Sequence, residues 1–163
     1  MAFSGSPAFP ADVARDIVDA NRYMVLATAD HAGTPWSSPV YFAHRGYREF
    51  FWVSSPQVTH SRNIAVRPQV GIVVFDSSVA ISTGQGVYMS AVASAVDAAD
   101  AEDAIAVFSR RSVTHGGRVW TADDLADAQG VSGVALYRAV ADEHSTLAKD
   151  GQPDHRVPVR LTD

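Results

Sequence analysis

Residues 49–75 read EFFWVSSPQVTHSRNIAVRPQVGIVVF, and the order of pieces in this stretch decides the fold. An aromatic strand, Phe50 to Ser54, runs into a Ser-Ser-Pro corner. A short amphipathic helix follows over residues 56–66. Arg67-Pro68 stops it, because the residue before a proline is driven out of helical geometry. A strand apolar on both faces, residues 70–75, comes next and is expected to be central and buried. Ser55 is placed to cap the helix and Pro56 to occupy its first position. The first-turn amides would then face whatever lies beyond the strand end, where the helix dipole favours a phosphate. That dipole contributes only about 0.3–1 kcal/mol, so a bound phosphate needs further partners. On this helix Val58, Ser61, Ile64 and Ala65 are read as the face packed on the sheet, and His60, Asn63 and Arg67 as the polar face.

Working outward, residues 10–21 carry helical periodicity through Val13, Ala14, Ile17 and Val18. Residues 23–29 alternate as a strand, with Met24 and Leu26 on one face. Asp30 to Gly33 form a turn, and residues 36–42 a second strand whose Pro39 marks an edge or a bulge. His44 to Tyr47 turn the chain into the aromatic strand, so three strands are expected as an antiparallel meander. Beyond the quoted stretch, a Ser/Gly-rich loop over 76–86 leads to a strand of small residues over 87–96. Residues 100–111 read as a helix and 121–129 as another, with Thr121 and Asp124 resembling a capping box and Gly130 at its end. A strand over 134–140 and a last hairpin turning at Asp150-Gly151 complete the chain. The pattern predicts a mainly β single domain over residues 1–163: a six- to seven-stranded antiparallel split barrel with short flanking helices.

Composition narrows the function. A net charge of −5 argues against nucleic acid as a general partner. No run of about 18 apolar residues is present to span a membrane. The opening MAFSGSPAFPADVARD has neither a basic segment nor a long apolar one, so a cytoplasmic protein without a secretory signal is expected. There are no cysteines, hence no disulfide, thiolate metal site or cysteine nucleophile. The six histidines (His31, His44, His60, His115, His144, His155) show no metal-ligand spacing, and no metal is expected.

Three segments together resemble the flavin-binding split-barrel family typified by pyridoxamine phosphate oxidase. They are VLATADHAGTPWSSPVYF from Val25, FFWVSSPQVTHSRNIAVRPQVGIVVF from Phe50, and GQGVYMSAVASAVD from Gly84. The resemblance implies a homodimer with FMN at the subunit interface and a small-molecule substrate. It places the flavin ring along Trp36, Ser37, Ser38, Pro39 and Val40. The phosphate falls to Val53, Ser54 and Ser55 with Thr59, His60, Ser61, Arg62 and Asn63 on the helix. It implies flavin-mediated hydride or electron transfer, and no side chain stands out as catalytic. Several cations of the oxidase are replaced here, by Ser38, Ala43, Thr59 and His60, with Arg62 and Arg67 as substitutes. Its substrate-phosphate motif and its Arg-Leu-x-Pro ending are absent, so oxidation of pyridoxamine phosphate itself is not expected. Two alternatives stay open. One is a deazaflavin-dependent reductase of the same superfamily. The other is a non-catalytic flavin or haem carrier or sensor, with His115 or His144 as the haem ligand.

Overall fold

The computed structural model describes residues 10–125 and 133–161. The protein is mainly β. Its elements are α1 (Pro10–Ala20), β1 (Tyr23–Ala29), β2 (Pro35–Tyr41), β3 (Ala43–Arg45), β4 (Glu49–Ser54), α2 (Thr59–Val66) and β5 (Gln69–Phe75). They continue with β6 (Gly86–Ala95), α3 (Ala101–Thr114), α4 (Ala122–Leu125), β7 (Ala135–Leu147) and β8 (Arg156–Val159). All pairings are antiparallel, in the order β2-β1-β5-β6-β7-β4-β3, with β8 added on β7. The sheet curls into a split barrel.

The expected meander does not form. β1 and β2 make a hairpin from Tyr23↔Tyr41 to Ala29↔Pro35, but β4 pairs with β3 and β7, at the other end of the sheet. Local patterning identified the strands, whereas pairing across the sheet depends on contacts distant in sequence. A three-residue strand, β3, absorbs the difference. It joins β4 through a three-residue loop in which Arg48 N–H donates to the Arg45 carbonyl at 3.2 Å and Gly46 and Tyr47 both lie at positive φ (58° and 55°). Tyr47 tolerates this conformation with two supports: its hydroxyl donates to Asp19 at 2.8 Å and its ring stacks on His44 at 4.6 Å.

The core lies inside the curl. Met24, Leu26, Val40, Phe50, Trp52, Ile72, Val74 and Val87 fill it, and Ala14 and Val18 of α1 close it. A smaller apolar cluster under α3 joins Ala43, Phe51, Ile105, Phe108 and Leu136. β5 is central, yet only alternate residues, Val70, Ile72 and Val74, are fully buried; Val73 is half-buried and Phe75 exposed. Its second face therefore forms outer surface instead of the expected buried one. Arg111 ties α3 to α1, its guanidinium donating to the carbonyls of Val18, Asp19 and Asn21 at 3.2, 3.3 and 2.8 Å and lying 4.9 Å from the Phe42 ring centre. Of the Thr121/Asp124 capping box the Asp124 half is present, with the Thr121 N–H and hydroxyl both donating to the Asp124 carboxylate at 2.8 Å. The expected continuation of that helix to Gln129 and its end at Gly130 lie outside the described residues. Among the described residues, no helix is long and apolar enough to cross a membrane.

Candidate functional site at the barrel seam

The barrel is not closed by backbone hydrogen bonds. β2 ends the sheet path, and Trp52 to Ser54 of β4 pair on one side only, with Tyr137, Leu136 and Ala135 of β7. β2 and β4 approach each other across this gap without a ladder. Pro39 is accommodated because β2 is an edge strand.

α2 lies against the seam, and it begins later than expected. Ser55 is not its cap. Instead Ser55 C=O accepts from Val58 N–H at 3.3 Å and Ser55 Oγ from Gln57 N–H at 3.2 Å. Residues 55–58 thus form a β-turn with Pro56 at its second position, which its fixed φ suits. The N-cap falls to Val58, which is extended (φ −75°, ψ 157°) and has no oxygen to offer. No described side chain caps the first turn, which carries the amides of Thr59, His60 and Ser61.

The helix is also rotated from the expected orientation: Ser61 and Ile64 pack inward as expected, but His60 and Asn63 join them in place of Val58 and Ala65. His60, Ser61, Asn63 and Ile64 are buried, while Val58, Ala65 and Val66 are exposed. The sheet supplies hydroxyls where the apolar reading expected a greasy surface. Asn63 Nδ2 donates to Thr28 Oγ1 at 3.0 Å. His60 spans the seam, with Nδ1 3.2 Å from Ser38 Oγ on β2 and Nε2 2.9 Å from Ser54 Oγ on β4. Trp36 Nε1 donates to the same Ser38 Oγ at 2.9 Å. Burial holds the His60 pKa below its ordinary value, so the imidazole is neutral near pH 7. Ser61 Oγ, in the first turn of α2, is buried without a described partner.

Of the residues expected at the site, Trp36, Ser38, Ser54 and His60 form one connected group. Ser55 and Thr59 are half-buried around the entrance to α2, and Arg62 is exposed on it. Others are turned away. Val40 is in the core, Ser37 and Pro39 are exposed on the side of β2 opposite Ser38, and Val53 packs toward the α3 cluster. Thr28 was missed. Its signal was its place after Met24 and Leu26 on the inward face of β1, where a hydroxyl needs a partner.

The positions where the resemblance expected cations answer differently. Ala43 is fully buried among Phe51, Ile105 and Phe108, so that position faces no seam. Arg67 donates to the His31 carbonyl at 3.3 Å. The donors that fit a phosphate are therefore the serine hydroxyls, the α2 amides and Arg62. A cavity of about 900 Å³ lies elsewhere, beneath β8, lined by Arg48, His144, Arg156 and Arg160 with Asp142 and Glu143. It mixes charges of both signs, whereas the seam converges hydrogen-bond donors on one spot. We take the seam as the candidate site for that reason.

The sequence model of the pyridoxamine 5'-phosphate oxidase family matches residues 11–143. The chain belongs to this family. Comparison with curated proteins finds no match. Among solved structures, the chain resembles a haem-binding protein from Mycobacterium smegmatis (18% identity, TM-score 0.70), covering 94% of this chain and 60% of that one. It also resembles the haem storage protein HutZ from Vibrio cholerae (23% identity, TM-score 0.61; 78% and 87% covered). A third is a Clostridium acetobutylicum protein of the pyridoxinephosphate oxidase family, related to general stress protein 26 of B. subtilis (8% identity, TM-score 0.59; 91% and 94% covered). At these identities the likeness speaks to the fold. Family membership thus agrees with the split barrel but leaves the ligand open, since relatives of this shape include haem binders.

Proposed function

We propose that this chain is an FMN-dependent oxidoreductase that binds its cofactor at the seam, at the interface of a homodimer. The observation that carries the reading is the α2 entrance: first-turn amides with no side-chain cap, beside the hydroxyls of Ser54 and Ser55 and next to a free sheet edge, in a member of a family with flavin enzymes. When bound, the flavin supplies hydride or electron transfer. The chain's own part is to hold and orient it. Ser54, Ser55, the Thr59–Ser61 amides and Arg62 hold the phosphate, and Trp36 and Ser38 border the ring on the edge strand. The homodimer is supported by the outer sheet face, where Tyr23 and Val25 of β1 adjoin Val73 and Phe75 of β5 as apolar surface. A second copy would cover that surface and shut water from the ring.

A haem-binding role without turnover is the second reading. It is favoured by His144, buried at the large cavity beside three arginines, with Nε2 held by the Tyr47 carbonyl at 2.6 Å. His115, whose Nδ1 is paired with the Tyr41 hydroxyl at 3.0 Å, does not line that cavity.

The test is titration of the purified protein with FMN, deazaflavin F420 and haemin, followed by visible absorption and sedimentation. FMN quenching with one flavin per protomer of a dimer is the expected outcome. Replacing Ser55 and Arg62 together by alanine should weaken FMN about tenfold, about 1.4 kcal/mol. Tight haemin binding without flavin binding would replace the first reading with the second, and tight F420 binding without FMN binding would change the cofactor and keep the class.

A further inference from the structure

We infer that His60 provides the positive charge the seam lacks, by taking up a proton when a phosphate docks at Ser54. The inference rests on the flavin-phosphate reading above and adds to it a pH-dependent affinity. The geometry lets one arrangement serve both protonation states. Each ring nitrogen meets a serine hydroxyl, Ser54 at 2.9 Å and Ser38 at 3.2 Å, and a hydroxyl can donate or accept. With neutral His60, one nitrogen donates and the other accepts. With protonated His60 both donate, and Ser38 Oγ can accept from it as well as from Trp36 Nε1. The Ser54 hydroxyl is then turned to donate outward. A charge on the imidazole would thus reach a phosphate through Ser54 without displacing any side chain.

Arg62, the fixed cation of the phosphate reading, lies on the exposed side of α2, and inside the seam no described fixed charge does the job of His60. The elements packed against α2 are β1, β2 and β6, and their only titratable side chains are Tyr23, Tyr41 and Tyr88. None of the three forms part of the His60 hydrogen-bond group. On β4 the one ionisable side chain is Glu49, at the far end of the strand from Ser54. On α2 itself Arg62 is exposed, and beyond its end Arg67 is engaged with the His31 carbonyl. In the free protein burial holds the His60 pKa below its ordinary value. A phosphate dianion opposes that burial and draws a proton from solvent onto the ring.

The experiment compares FMN and riboflavin affinity, by flavin fluorescence, from pH 6.5 to 8.5, where the phosphate is mostly dianionic because its second pKa is about 6. FMN affinity is expected to fall several-fold as pH rises, limited to about tenfold per pH unit by uptake of one proton. Riboflavin, which lacks the phosphate, should show no such slope. The His60→Gln variant keeps hydrogen bonding and cannot charge, so its FMN affinity should be flat with pH. In the unaltered protein, inorganic phosphate should raise the His60 pKa followed by NMR. Parallel slopes for the two proteins, or a His60 pKa unmoved by phosphate, would overturn the inference while leaving the FMN reading intact. FMN failing to bind at every pH would remove both.

Discussion

Asn63 shows how a buried polar residue escapes a reading based on periodicity. Helical spacing sorts residues by hydrophobicity and so assigned Asn63 and His60 to solvent. The structure buries both because hydroxyls on β1, β2 and β4 stand opposite them. Those partners are 22 and 35 residues away for Ser38 and Thr28, so no local window contains them. The chemistry of the corner was legible: serines, a proline and a helix start could be named from the sequence alone. Which serine bonds into the seam and where the helix begins were not, because the Ser55–Val58 turn competes locally with capping. The Asn63–Thr28 pair gives a direct measure. Asn63→Ala should destabilise the protein by about 1–3 kcal/mol, since Thr28 Oγ1 loses its partner in a dry site. The double change Thr28→Val, Asn63→Leu removes both polar groups and should cost less than the single one. Urea unfolding of the two variants decides it, and equal losses would show that the bond itself is unimportant.

Elements were easier to foresee than their partners. The bounds of β1, β5 and β6 follow from alternation and turn residues to within about a residue, as propensity signals allow. The Thr121–Asp124 contact at the start of α4 was visible for the same reason, being local. The place of β4 beyond β7 was not visible, and neither was the docking of α3 on α1, which is made by one arginine reaching three carbonyls 90 to 93 residues away. Those carbonyls lie at or just beyond the end of α1, where a cation also meets the negative end of the helix dipole. Arg111→Met keeps apolar packing against Phe42 and removes the charge-assisted bonds. It should cost about 1.5–3 kcal/mol, the range for hydrogen bonds to charged groups. Hydrogen exchange should locate the loss in α1 and α3 while β5 and β6 keep their protection. Uniform loss across the sheet would mean that the contact supports the barrel as a whole.

For the whole molecule, burial of neutral histidines makes stability depend on pH. His44, His60 and His144 come from three separate elements, and burial is the largest cause lowering the pKa of each. In His44 the Asp19 carboxylate, 2.9 Å away, pulls the other way without prevailing, and nearby Arg111 adds to the lowering. In His144 the bond to the Tyr47 carbonyl offsets burial only in part. The unfolded chain therefore takes up protons on these residues first, as pH falls through the ordinary histidine value of 6.5. Stability is fully present above that value and declines below it, until the lowered folded-state pKa values are passed. The carboxylate Glu49, whose pKa is lowered by Arg45, then adds a separate loss below its ordinary 4.5. The urea midpoint should hold steady from pH 8 to 7 and drop between pH 6.5 and 5. The drop should be smaller in His60→Gln, and smaller for the unaltered protein in phosphate than in an inert buffer of equal ionic strength. A midpoint unchanged from pH 7 to 5 would mean that these histidines charge as easily folded as unfolded, and that the seam is wetter than its geometry implies.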